Sequence, residues 1–236
     1  MRRGEQAAPP LPNEEADWNI WDRQAQKPGF STMAEQVARG LMKAEGRFAQ
    51  WEGKDWLPGE AGQSVLDVGC GNGNYAPFFW RGKGMHYTGC DLSTAMLELA
   101  RRDNPGVEFV RADATDLPFE DRSFDMTFCS DLLIHLPPEL ESEVIGELRR
   151  VARVYAVLHQ RVMIEAPRFE EQLPNGIIHR YEVLDEELMA MRGVDCEVEM
   201  RMRNARNVAK RPGADVFFIF RRPEGEGQEA DGEWAH

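Results

Sequence analysis

Nothing in the sequence approaches the roughly 18–20 consecutive apolar residues that a membrane span requires, and the opening MRRGEQAAPPLP places no apolar segment behind its arginines. A soluble, unexported, cytoplasmic protein with no membrane contact is therefore expected. Cysteine is scarce too. Cys70, Cys90, Cys129 and Cys196 lie far apart without a CxxC pair, which argues against a disulfide framework and a zinc site, so no metal is expected. Basic residues are outnumbered, 28 Lys and Arg against 41 Asp and Glu, and the net charge is −13. The last fourteen residues, PEGEGQEADGEWAH, hold five of the acids and no Lys or Arg. Such a surface repels phosphates over most of its area, which disfavours nucleic acid and favours a small-molecule or protein partner.

The chain has 236 residues, 42% of them hydrophobic, which is enough for one substantial core. Composition divides it into a flexible arm over residues 1–30, a folded domain over 31–222 and an acidic tail over 223–236. Thr32 and Glu35 form a capping box ahead of Met33, Val37, Leu41, Ala44, Phe48 and Trp51, the spacing of an amphipathic helix. Apolar strands are then predicted at Ser64–Val68, His86–Cys90, Val107–Arg111, Phe124–Cys129 and from Val154 to Leu158 or Ile164. Between them, helices are predicted at Tyr75–Trp80, after Ser93, and from Pro137 and Pro138 along the stripe Leu140, Val144, Leu148 and Val151. Asp185–Arg192 reads as a short helix. Cys196–Arg203 and Asp215–Arg221, joined by a polar linker, read as an antiparallel hairpin. The pattern predicts an α/β fold: a Rossmann-like, mostly parallel sheet of seven strands with helices on both faces and an antiparallel C-terminal pair.

The chemistry concentrates around VLDVGCGNGNY, residues 65–75. A glycine turn between strand and helix lets a ligand approach the backbone and aims amide groups at it, but by itself this is weak evidence. The dinucleotide pattern GxGxxG would need glycine where Asn74 stands, and a Walker loop would need a Gly-Lys-Ser/Thr ending. Asp67 would oppose a pyrophosphate yet suits an ammonium group. Asp91 closes the second strand in TGCDLS, placed to accept hydrogen bonds from both hydroxyls of an unphosphorylated ribose. Asp113 follows the third strand in FVRADATDLPF, where an exocyclic amine can be met. Together the three acids imply a ligand with an amine, a ribose and a base.

VLDVGCGNG, TGCDLS, RADATDLPF and FDMTFCSDLLIHLP, in this order, resemble a class I S-adenosylmethionine-dependent methyltransferase of the small-molecule, Methyltransferase-11-like type, most clearly over Gln63–Pro137. The resemblance implies S-adenosyl-L-methionine as cofactor and S-adenosyl-L-homocysteine as product. It also implies that Asp67, Gly69, Cys70 and Gly71 surround the methionine part, Asp91 and Leu92 the ribose, Asp113 and Ala114 the adenine, and Ser130 the reaction side.

The acceptor side is less legible. His135, past the fourth strand, is the candidate catalytic base or acceptor-orienting group, set against a plain helix-entry histidine. Further substrate or lid candidates are His159 after the fifth strand, and His179, Arg180 and Tyr181 in a segment (166–181) read as a loop over the pocket. Trp18 and Trp21 in DWNIWDRQ suit either a lid or outside packing. Arg201, Arg203, Arg206, Lys210 and Arg211 form the one basic cluster, with Glu197 and Glu199 as natural partners. The leading expectation is methyl transfer to an O or N atom of a small metabolite. A protein acceptor, a non-catalytic scaffold subunit and a nicotinamide oxidoreductase are the alternatives. Ser130-Asp131-Leu132-Leu133 stands where a base-amine methyltransferase would carry an Asn/Asp-Pro-Pro-Tyr type of signature, which further disfavours nucleic acid.

Overall fold

The computed structural model describes residue 22 and residues 59–163, 169–172, 178–181, 197–208 and 211–222. The capping-box helix, Trp18, Trp21, the 185–192 helix and the acidic tail lie outside them. Five strands run in chain order: β1 (Ser64–Val68), β2 (His86–Asp91), β3 (Glu108–Arg111), β4 (Phe124–Ser130) and β5 (Ala152–Met163). Each pairs in parallel with its neighbours, β2 between β1 and β3, and β4 between β1 and β5. β9 (Arg211–Arg221) runs antiparallel between β5 and β8 (Glu197–Val208), so the full order is β3-β2-β1-β4-β5-β9-β8.

Alternation along β1 shows how the sequence builds two layers. Leu66 and Val68 face one core with Cys129, Leu158 and Phe218, closed by Val144, Leu148 and Val151 of helix α2 (Glu141–Val151). Val65 faces the other with Met126, Phe128 and Val157, closed by Leu97 and Ala100 of helix α1 (Thr94–Asp103) and by Phe79. Helices therefore cover both faces, and the reversal of strand order between β1 and β4 opens a crevice at the carboxyl ends of the parallel strands.

Several local expectations are corrected. Tyr75–Trp80 was expected to be α-helical, but Pro77–Gly82 is a π-helical turn, closed by Lys83 N–H donating to the Phe78 carbonyl at 2.9 Å. Pro138 opens a separate 3-10 turn, Pro138–Leu140, so α2 starts only at Glu141. β8 and β9 reach into the stretch 204–213 expected to be a polar linker, with Val208 paired to Arg211 beyond a register shift that follows Arg203. The expected loop over 166–181 contains a hairpin instead: β6 (Phe169–Gln172) pairs antiparallel with β7 (Ile178–Tyr181).

The loop from β3 to β4 is held from outside. Arg150 of α2 donates to the Leu117 and Phe119 carbonyls at 3.0 and 2.9 Å and to Asp121 at 2.7 Å, while Glu147 accepts from Leu117 N–H at 2.8 Å. Arg150→Met leaves two backbone carbonyls and two carboxylates without this donor. It is expected to lower stability by about 1–2 kcal/mol, seen as a lower Tm in a thermal melt. Among the described residues no helix is long and apolar enough to cross a membrane, and no cluster of His, Cys, Asp and Glu could hold a metal ion.

Candidate cofactor site and methyl-transfer edge

The glycine turn is assembled by β2. The Cys90 carbonyl accepts from both Gly69 N–H and Cys70 N–H at 2.9 Å, which folds the chain sharply as it leaves β1. Asp91 then fixes the next step: Oδ2 accepts from Gly71 N–H at 2.8 Å and Oδ1 from Ser93 N–H at 2.9 Å. Each carboxylate oxygen has a second lone-pair direction, so a pair of vicinal hydroxyls can still be accepted beside the turn. Burial raises the Asp91 pKa, the Ser93 and Gly71 amides lower it, and the negative charge of Asp22 raises it.

Asp67 lies beneath the turn, only 1% exposed. Tyr87 Oη donates to its Oδ2 at 2.6 Å, and its Oδ1 has no hydrogen-bond partner. Burial, partly offset by the Tyr87 bond and reinforced by Asp91, lifts its pKa from 3.8 to about 7. Between those values the folded protein keeps a proton that the unfolded chain has released, so stability falls as pH rises from about 4 to about 7, by at most about 1.4 kcal/mol per pH unit. Asp67→Asn removes this titration. Urea unfolding of the free protein at about pH 5 and pH 7.5 is expected to show wild type losing stability relative to Asp67→Asn, and parallel curves would contradict the assignment.

Cys70 contributes backbone more than side chain. Its thiol faces the apolar cluster that holds Phe79, Tyr87 and Phe109 and donates to the Gly71 carbonyl at 3.7 Å; burial, reinforced by Asp67 and Asp91, pushes its pKa well up, so the resting form is a neutral thiol. Leu92 follows Asp91 and gives its carbonyl to Arg111 Nε at 3.1 Å. Asp113 forms a tight turn after β3, Oδ1 accepting from Thr115 N–H at 2.9 Å and Thr115 Oγ1 at 2.8 Å, with Ala114 half-buried beside it. All of these sit at the carboxyl ends of β1, β2 and β3, in one row along the crevice.

The same row continues at β4 and β5. Ser130 and His159 are register partners, and Ser130 Oγ lies 2.7 Å from His159 Nδ1 and 2.9 Å from Tyr75 Oη. His159 is 4% exposed and stacks on Phe217 with ring centres 4.4 Å apart, which makes it a buried group tied to Ser130. His135 ends the 3-10 turn Leu133–His135 just past β4, and β7, which carries His179, Arg180 and Tyr181, packs against that turn.

Three residues that the sequence reading passed over belong to the site. Tyr75 was quoted in the motif without a role. Asn104, the residue that ends α1, donates Nδ2 to the Gly73 carbonyl at 3.3 Å and to the Ala100 carbonyl at 3.2 Å, bracing the turn from that helix. Asp22 accepts from Ser93 Oγ at 2.5 Å and Ala95 N–H at 3.1 Å, a favourable seat for a carboxylate at a helix N-terminus. Its place in DWNIWDRQ, noted for the two tryptophans, was the one available signal for it.

The residues fit a nucleoside carrying a cationic amino acid. A Cβ built on Gly71 would meet nothing within 4 Å, so the turn presents open backbone at the point Asp91 braces. A buried carboxyl with one unpartnered oxygen lies under it, and a second anchored carboxylate flanks it.

Residues 65–154 match a family model described as a methyltransferase domain (Methyltransf_25). The phthiotriol/phenolphthiotriol dimycocerosates methyltransferase 1 of Mycobacterium ulcerans is 41% identical over 98 residues, 39% of this chain and 35% of that protein. The malonyl-[acyl-carrier protein] O-methyltransferase of Pectobacterium atrosepticum is 33% identical over 102 residues, 43% of this chain and 39% of that protein. The chain thus spans well under half the length of these relatives. In fold it is similar to phosphoethanolamine N-methyltransferase 2 of Haemonchus contortus, solved with phosphomonomethylethanolamine and S-adenosylhomocysteine, at 16% identity and a TM-score of 0.53 over 72% of this chain and 51% of that one. With the glycine turn, the row of acids and the strand order in place, residues 65–154 belong to a methyltransferase domain, on the Rossmann-like fold of solved S-adenosylmethionine-dependent methyltransferases.

Proposed function

We propose that this protein transfers a methyl group from S-adenosyl-L-methionine to an oxygen or nitrogen atom of a small-molecule metabolite. The observation that carries the reading is one continuous edge: Asp91 bonded to Gly71 and Ser93 at one end, and Tyr75, Ser130 and His159 joined at the other. When bound, the sulfonium supplies an electrophilic methyl carbon with its own leaving group. The protein's task is to hold donor and acceptor in line and keep water out. Asp91 and Leu92 would hold the ribose, Asp113 and Ala114 the adenine, and the turn 69–71 above Asp67 the amino-acid end. Ser130 lies on the side where the acceptor must arrive. The net charge of −13 favours a small acceptor over nucleic acid. One of the two relatives is by name a malonyl-[acyl-carrier protein] O-methyltransferase, which supports oxygen as an acceptor atom. Asp22, seated at the N-terminus of α1, brings one residue of the N-terminal arm to this edge.

Calorimetric titration with S-adenosylmethionine, S-adenosylhomocysteine and NAD tests the donor. Micromolar binding of the first two is expected, and binding of NAD alone would overturn the proposal. Release of S-adenosylhomocysteine on adding a metabolite extract separates turnover from a scaffold role.

A further inference from the structure

We infer that Tyr75, Ser130 and His159 form a proton relay, with the Tyr75 hydroxyl as the group that takes the acceptor's proton and His159 as its buried terminus. The inference rests on the methyltransferase reading and narrows it to acceptors that carry a removable proton. The three side chains come from separate segments, the glycine turn, the end of β4 and β5, and are linked end to end at 2.9 and 2.7 Å. The rest of β4 on this side is apolar, Met126 and Phe128, so a merely packed position at 130 would be filled more simply by another apolar residue. Instead a serine hydroxyl, which can donate and accept at once, stands between a phenol and an imidazole. The chain runs inward from the half-buried Tyr75, whose ring packs edge-on against Phe128 at 5.0 Å, to His159, held flat against Phe217. Both stacking contacts fix the rings, so the order of the three groups is set before any acceptor arrives.

The direction follows if Nδ1 of neutral His159 is the proton-free nitrogen. The acceptor's X–H bond breaks with its electron pair staying on X to form the new X–C bond, and the proton passes to Tyr75 Oη. The phenol's own proton moves to Ser130 Oγ, and the serine proton moves to His159 Nδ1. Imidazole ends as imidazolium, which balances the positive charge lost from the sulfonium, and it is reset by proton loss to solvent once products leave. Tyr75 is then the catalytic residue, while Ser130 and His159 act through it as positioning residues. The proton is assigned to His159 rather than to His135.

Nitrogen-15 NMR of the S-adenosylhomocysteine-saturated protein, labelled at histidine and assigned with His159→Gln, reads the relay without an acceptor. The expected result is a proton-free Nδ1 at His159. Replacing the protein's 4 tyrosines by 3-fluorotyrosine, a more acidic phenol, is expected to shift that Nδ1 resonance. The shift should vanish in Tyr75→Phe and in Ser130→Ala and persist in Ser130→Thr, which keeps the hydroxyl. A protonated Nδ1, or a resonance indifferent to fluorination, overturns the relay. Calorimetry on the same samples keeps the two readings apart: absent S-adenosylhomocysteine binding defeats the methyltransferase reading, whereas normal binding with an uncoupled His159 defeats the relay alone.

Discussion

Asp91→Ala is expected to weaken S-adenosylhomocysteine binding by roughly 10- to 150-fold, about 1.5–3 kcal/mol, with little change in Tm. The affinity loss follows from removing a carboxylate aligned by two backbone amides, Gly71 N–H and Ser93 N–H, toward the space where ribose hydroxyls would sit. The small stability change follows from two opposing effects. The alanine variant leaves both amides without their acceptor, but it also removes a carboxylate whose raised pKa shows that the fold disfavours its charge, through burial above all and through Asp22 as well. Asp91→Asn should not restore binding. Its amide nitrogen must face one of the two N–H groups, so either the turn or the Ser93 contact is lost. Titration calorimetry beside a thermal melt checks both halves, and unchanged affinity would contradict the ribose assignment.

The legibility of this protein in its sequence follows the range of the interactions involved. β1 was readable to the residue because Val65, Leu66 and Val68 are buried on both faces of the sheet and the glycine turn ends the run abruptly. The cap at Ser93 was readable for the same local reason, and its Oγ accepts from Met96 N–H at 3.1 Å. The mostly parallel sheet and its antiparallel C-terminal pair were readable from the alternation of strands and helices and from the two-residue periodicity after Cys196. By contrast, the π-helical turn at Pro77–Gly82 departs from an ordinary helix by one hydrogen-bond step, which composition does not encode. The β6–β7 hairpin was read as loop because it contains Pro, Asn and Gly between two short strands. Within the site, the acids at 67, 91 and 113 were visible because each ends or follows a strand, a one-dimensional signal. The joining of Tyr75 to Ser130 and His159 was not, since residues separated by 55 and 29 positions meet only through β4–β5 register and the fold of the glycine turn. Asp22 was hidden for a similar reason: it caps a helix 71 residues away.

Gly73→Ala and Gly71→Ala, two positions apart on the same turn, are expected to fail in opposite ways. Both glycines have positive φ, 75° at Gly73 and 53° at Gly71, so each alanine incurs a left-handed backbone cost of about 1–2 kcal/mol. Their surroundings differ. A Cβ at Gly73 would lie 2.9 Å from Asn104 Nδ2 and 3.0 Å from Phe109 Cζ, inside the packed wall between α1 and β3. Relief would break the Asn104 brace or push the Phe109 ring against Tyr87, adding about 1–3 kcal/mol of overpacking. Gly73→Ala should therefore lose about 2–5 kcal/mol of stability, with weaker ligand binding only as a consequence of disordering the turn. At Gly71 the new methyl meets nothing within 4 Å, so stability falls by the backbone term alone. That open volume lies where Gly71 N–H is fixed by Asp91, the place a bound nucleoside-amino acid must approach the backbone. Gly71→Ala is accordingly expected to fold and to bind S-adenosylhomocysteine at least about 30-fold more weakly, on the scale of about 2 kcal/mol for a methyl group forced against a ligand. Denaturant unfolding and titration calorimetry on both variants separate the outcomes. Normal affinity in a folded Gly71→Ala protein would place the donor elsewhere than on this turn, whereas a fully stable Gly73→Ala protein would mean that the wall behind the turn yields more easily than its contacts suggest.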